Sequence, residues 1–246
     1  MGKVFIIARK DMKEAFRSKS TYVYVLFLCL FTLPYYGILR ETLGNLSRQG
    51  VSLVELRLTS QSLLNITMST LPMVLTMLFC SIFSVYSILL DKTKRTLESL
   101  LATPVSLRQI WLGKSLAVAL PSVIIALLVS FLALLFLNLV IIVPDLGSFI
   151  VPSILSLVTG LVIIPVMTFF VASITNFLQL TMANPRIANL VFPVIFMGLF
   201  IGTLIRLSKP WDYSFIYLLV TLFLVAISLL LSRFLTKDRV ILSSKG

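Results

Sequence analysis

Gly113-Lys114-Ser115 has the spelling of the last three residues of a phosphate-binding loop, where backbone N–H groups and a lysine cradle a polyphosphate. That loop needs a glycine five residues before Gly113, and position 108 is Arg. The segment also leads into an apolar stretch instead of following a strand, so direct ATP binding through it is excluded. Other chemistry is equally poorly provided for. The chain has no histidine, hence no HExxH zinc motif, and no GxSxG nucleophile elbow. Cys29 and Cys80 both sit in apolar runs and read as small buried hydrophobes, not as a disulfide or half of a metal site. Asn45-Leu46-Ser47 and Asn65-Ile66-Thr67 spell glycosylation sequons, which are short enough to arise by chance, and no role is assigned to them. No catalytic, cofactor-binding or metal-ligating residue is assigned, and the chain is expected not to be an enzyme.

The elements that would position any such residue are apolar. Of 246 residues 59% are hydrophobic and 12% charged, against about 25% charged in soluble proteins. Uniformly apolar stretches of about 20 residues match the length a helix needs to cross the hydrocarbon core. Lipid leaves only helices or closed barrels as spanning structures, and the lack of alternation favours helices. The expected fold is an all-α polytopic membrane protein forming one transmembrane domain over 1–246. Its six spans lie near 21–39, 65–90, 115–138, 149–175, 187–205 and 213–232. The first apolar run is too long for a signal-peptide core, and no small-residue cleavage pattern precedes Arg40. It therefore reads as a retained span.

Six spans put both termini on one side, and the basic residues choose it. Sixteen of the 21 Lys and Arg fall in residues 1–20, 91–114, the 176–186 connection and the tail beyond 232. Five fall on the other face: Arg40, Arg48, Arg57, Arg206 and Lys209. The positive-inside rule then places the termini in the cytoplasm, with the chain in the plasma membrane. The net charge of +12 belongs to these flanks, where it fixes topology and meets anionic headgroups, so nucleic acid is not an expected partner.

Residues 2–19 read as an amphipathic helix. Val4, Ala8, Met12 and Ala15 recur at helical spacing with Phe5 and Phe16 alongside, and Arg9, Lys10, Lys13 and Arg17 lie opposite. Such a helix next to a span is expected in the membrane interface, anchored to lipids by Phe5, Arg9, Met12 and Phe16. A solvated helix docked on a neighbouring protein is the alternative. Pro34, Pro72, Pro121, Pro165 and Pro193 fall within or at the ends of spans, where each can bend the axis. Gly198 and Gly202 form a GxxxG that permits close helix contact, within one subunit or between two. The spans carry no ionisable residue in their cores, which counts against a proton- or ion-coupled carrier.

The polar connection at 91–114 reads as two short helices lying along the membrane. Leu97, Leu100 and Leu101 form one apolar face, with Asp91 as a candidate N-cap. Thr103-Pro104 breaks the helix, because the residue before a proline is steered out of the helical region. Ser106 and Gln109 spell a capping box that starts a second helix with Leu107, Ile110 and Trp111 on its apolar face. Arg95, Glu98 and Arg108 remain available to a partner. A merely solvated loop is the alternative.

The run Thr96-Leu97-Glu98-Ser99-Leu100-Leu101-Ala102-Thr103-Pro104-Val105-Ser106, followed by Ile110 and Gly113-Lys114, closely resembles the signature of ATP-binding-cassette (ABC) type-2 transporter permeases. Ala8-Arg9-Lys10-Asp11, the six spans and the placement of the loop after span two also match, so the resemblance covers the whole chain. Arg95 stands where the family usually has Gly, and Thr93 where a second acid is common, whereas Asp91 keeps the first acid. The resemblance implies a permease subunit of an ABC exporter, paired with a second copy or a homologous permease. Separate ATPase subunits would bind ATP and magnesium, the permease binding neither directly. In this reading Asp91, Arg95, Thr96, Leu97, Glu98, Leu101, Thr103, Pro104, Ser106 and Arg108 form the coupling region. The rival readings are a passive channel or carrier and an ATPase-coupled membrane anchor that relays without transport.

Overall fold

In the computed structural model the described residues are 2–19, 21–23, 26, 37, 40–41, 44–45, 52–93, 96–182, 184–188, 194–195, 198 and 210–235. Among them there are helices and no strand. In chain order they are α1 (Gly2–Arg17), α2 (Leu53–Ser84), α3 (Leu90–Thr93), α4 (Thr96–Leu101), α5 (Leu107–Phe136), α6 (Val143–Leu146), α7 (Ile154–Val158), α8 (Ile164–Thr181), α9 (Pro185–Ala188) and α10 (Pro210–Phe234). Wider π turns at Val85–Leu89, Leu137–Ile142 and Thr159–Ile163 join α2 to α3, α5 to α6 and α7 to α8 without breaking the rods.

Four of the rods are long and apolar enough to cross a membrane: Leu53–Lys92, Leu107–Ile142, Ile154–Thr181 and Ser214–Phe234. They correspond to the expected second, third, fourth and sixth spans. The first and fifth spans lie largely outside the described residues, as do Cys29, Pro34, Pro193 and Gly202. At Gly198 a Cβ would meet nothing within 4 Å.

α5 is the central rod, packed against α1, α2 and α8, and α8 packs in turn on α10. The main core joins Met73, Phe79 and Phe83 of α2, Val118 and Ala126 of α5, Met167 and Val171 of α8, and Tyr217 of α10. Ala119, Ala126 and Ala133 of α5 and Ala172 of α8 are buried in the same core, small side chains of the kind that let membrane helices pack closely. Ser115, Ser122 and Ser130 return their hydroxyls to carbonyls four residues back, at 2.8, 2.7 and 2.7 Å, so each hydroxyl proton is satisfied within α5. Among the described glycines, Gly160 in the third π turn has the closest neighbour. A Cβ there would stand 2.6 Å from the Met68 carbonyl oxygen, so only glycine fits. Pro165 is the second residue of α8, just past that π turn, a first-turn position where a missing N–H is tolerated.

Two expectations about boundaries are corrected. The connection before span two is shorter than 40–64, because the helix starts at Leu53. Ser52 caps it, accepting from the Glu55 N–H at 3.3 Å. The mixed composition of 53–64 hid a helix whose exposed side carries Leu53, Val54 and Leu58. Nor is the second helix of the 91–114 connection a separate element along the membrane. From Leu107 it runs unbroken into span three as α5, and Leu107, Ile110 and Trp111 are buried in the bundle.

Candidate functional site

The region built around residues 91–114 starts where sequence signals place its breaks. Ser106 and Gln109 form the expected capping box: the Gln109 N–H donates to Ser106 Oγ at 3.3 Å, and the Ser106 N–H donates to Gln109 Oε1 at 3.1 Å. Upstream, Thr103 closes a turn by donating its hydroxyl to the Leu100 carbonyl at 2.6 Å. Thr96, Thr103, Pro104, Ser106 and Arg108 are all exposed. The connection therefore offers a polar outer surface between α3 and α5. Arg95 and the side chains of Leu97, Glu98 and Leu101 lie outside the described residues.

Beneath that surface lies a buried ionic cluster. Lys114, in the second turn of α5, is 0% exposed. Its ammonium has three protons, and three acceptors surround it. Asp11 Oδ2 of α1 lies at 3.0 Å, Asp91 Oδ2 of α3 at 2.5 Å, and the Ser87 carbonyl oxygen in the first π turn at 2.5 Å. The Ser87 hydroxyl donates to Asp11 Oδ2 at 3.3 Å, and Thr96 Oγ1 donates to the other oxygen of Asp91 at 2.7 Å. One cation thus joins α1, the end of span two and the start of span three. Asp91 is not the N-cap expected of it. It stands at the end of the span-two rod, and both its oxygens are held by side chains.

Burial pushes the Asp11 carboxyl above the ordinary carboxylate range, and Lys114 pulls against that shift. The Lys114 ammonium, 3.0 Å away, is the main group favouring the charged form. Removing one member of such a cluster strands the others, at a cost of roughly 3–5 kcal/mol for a buried pair.

The backbone geometry explains the residue before the lysine. A Cβ at Gly113 would stand 3.0 Å from the Val4 carbonyl oxygen and 3.0 Å from Ile7 Cβ, so α1 crosses α5 directly over Gly113. That crossing carries Asp11 to Lys114. At the edge of the same contact, Lys3 Nζ donates to the Pro104 carbonyl at 3.1 Å, tying α1 to the break in the connection. On the far side of α5, Trp111 Nε1 donates to the Ser173 carbonyl of α8 at 2.8 Å, and Asn176 Nδ2 donates to Ser115 Oγ at 3.3 Å.

Of the anchor residues expected on α1, Phe5 and Arg9 are exposed, Phe16 is 37% exposed and Met12 is half-buried. Phe16 also meets the ring of Phe83 on α2, with centroids 5.7 Å apart. The buried face is Ile7, Ala8, Asp11 and Ala15. In the sequence Asp11 and Lys114 stand out only as parts of the family resemblance and, for Lys114, as a topology-setting charge. A signal was present nonetheless: Asp11 stands four residues after Ile7, three after Ala8 and four before Ala15, which puts a carboxylate in the middle of an apolar face.

Residues 5–210 match a family model described as ABC-2 family transporter protein. No curated protein and no solved structure matches the chain.

Proposed function

The chain belongs to the ABC-2 family of transporter proteins, and from that premise we propose that it is the membrane-spanning subunit of an exporter whose separate ATPase subunits dock on residues 91–114. Two such chains, or one with a homologous permease, form the pathway. Both termini and the connection face the cytoplasm of the plasma membrane, and α1 lies in the lipid interface. ATP and magnesium act on the partner subunits. Ionised groups are absent from the apolar middles of the described spans, which offer hydroxyls, amides and aromatics instead. That environment suits an apolar or amphipathic cargo.

The observation that carries this reading is the contrast across the connection. Its outer surface is polar and exposed at Thr96, Thr103, Pro104, Ser106 and Arg108. Its two ends are fixed to α1 and to each other through Lys114. A chain with no energy source of its own presents a handle to the aqueous side, and that handle is fastened directly to two spans.

Glu98→Arg tests the docking. The ATPase subunit that co-purifies with the wild-type chain should be lost from the variant, while membrane insertion and chain yield remain unchanged. Retention of that subunit with undiminished ATP hydrolysis would overturn the assignment.

A further inference from the structure

We propose that Lys114 is a positioning residue for coupling: it locks α1, α3 and the start of α5 into one body, so that displacement of the 91–114 connection reaches span three without slack. This rests on the docking reading above and names the residue through which it acts.

The two ends of the connection join their spans differently. On the span-three side, the capping box at Ser106 starts a helix that continues from Leu107 to Phe136 and on through the second π turn. No break separates the connection from the membrane there. On the span-two side, the π turn Val85–Leu89 intervenes, followed by the short α3 and the separate α4. π turns of this kind occur frequently at functional sites, and here two short helices follow it where the other side has one long one. Left to itself, that side would yield when the connection is pushed. Lys114 removes the yield. It reaches from α5 across to Asp91, just beyond the π turn, and to the Ser87 carbonyl inside it, at 2.5 Å in each case. The same ammonium holds Asp11 at 3.0 Å, which brings α1 into the body.

The burial gives the link its stiffness. At 0% exposure the ammonium has no water to exchange into, and its three protons are matched by three acceptors. Opening either carboxylate arm would separate opposite charges in a low-dielectric site, and opening the carbonyl arm would leave an ammonium proton without an acceptor. Gly113 adds the geometric condition, since a Cβ there, 3.0 Å from the Val4 carbonyl oxygen, would press α1 away from α5. The Lys3 contact with Pro104 and the packing over Gly113 would hold α1 near α5 without the ion cluster, but neither engages α3.

The test uses the complex of the chain with its co-purifying ATPase in lipid nanodiscs. Cys29 and Cys80 are replaced by Ser, and spin labels are placed at Leu128→Cys on α5 and Phe223→Cys on α10, both exposed positions. Distances are compared between the nucleotide-free complex and one trapped with ATP and vanadate. Three chains are measured: wild type, Lys114→Met, and the neutral triple Asp11→Asn, Asp91→Asn, Lys114→Met. The wild type should show a nucleotide-dependent shift. Lys114→Met should lose both the shift and thermal stability. The triple leaves no stranded charge, so it should regain stability and still bind ATPase, yet the shift should remain lost. A shift restored to wild-type size in the triple would show that the cluster serves folding alone and overturn the proposal. A wild-type chain that brings down no ATPase would instead overturn the docking reading, and this inference with it.

Discussion

The two ends of the bundle fasten their connections by different chemistry. At the end carrying residues 91–114, one lysine gathers two carboxylates and a carbonyl from three segments. At the opposite end, the segment between α6 and α7 is held by neutral amides. Asn138 Oδ1 accepts from the Ile150 N–H at 3.0 Å while its Nδ2 donates to the Leu134 carbonyl at 3.1 Å, and Asn65 Oδ1 accepts from the Ser153 N–H at 2.6 Å. Each amide satisfies the backbone of one stretch against one helix, which suffices to keep a loop in place. The ionic cluster joins three elements at once, and its parts depend on one another. A loop that only has to stay put needs the first kind of tether. A connection that has to transmit a displacement gains from the second.

The largest expected effect that separates these two ends comes from Lys114→Ala. It strands two carboxylates and leaves a cavity, so it should destabilise the chain by roughly 3–5 kcal/mol, read as a fall in the thermal midpoint in detergent. A loss no greater than that of an amide variant at the other end would erase the comparison. Asn138→Ala removes a neutral acceptor and should cost about 1–3 kcal/mol, because the buried Ile150 N–H loses its partner. Unlike the lysine variant, it should leave the co-purifying ATPase and its stimulation intact. The smallest effect belongs to Lys3→Met, which breaks one exposed contact to Pro104 and should cost at most about 1 kcal/mol because solvent screens it. A loss comparable to that of Lys114→Ala would move the principal link from the buried cluster to the surface.

The amide end also settles the second sequon. Asn65 is 8% exposed and its carboxamide oxygen holds the Ser153 N–H, so this asparagine serves as an internal brace and is not available to a glycan.

What could be read from the sequence was what acts over a few residues. The Ser106–Gln109 capping box and the break at Thr103-Pro104 are local signals, and both stand as expected. The continuity of α5 was not legible, because Leu107, Ile110 and Trp111 show the same spacing on an interfacial helix as in the first turns of a span. The helix over 53–64 escaped because its polar residues resemble a loop when judged by composition. Lys114 was counted as a topology-setting charge at a membrane boundary. The sequence could not show its buried site, since the partners that define it lie 103 and 23 residues away. Asp11 shows the same limit from the other side: its apolar neighbours mark it as unusual, but only the crossing over Gly113 shows which cation it meets.

The central claim is that residues 91–114 form the surface an ATPase grips from the cytoplasm. Thr103→Cys, at an exposed position beside the break, tests it most directly in cells, using a thiol cross-linker and a membrane-impermeant maleimide. A cross-linked product containing the ATPase subunit is expected, with labelling by the maleimide only after the membrane is opened. Labelling of intact cells, with no ATPase product, would contradict both the orientation and the docking.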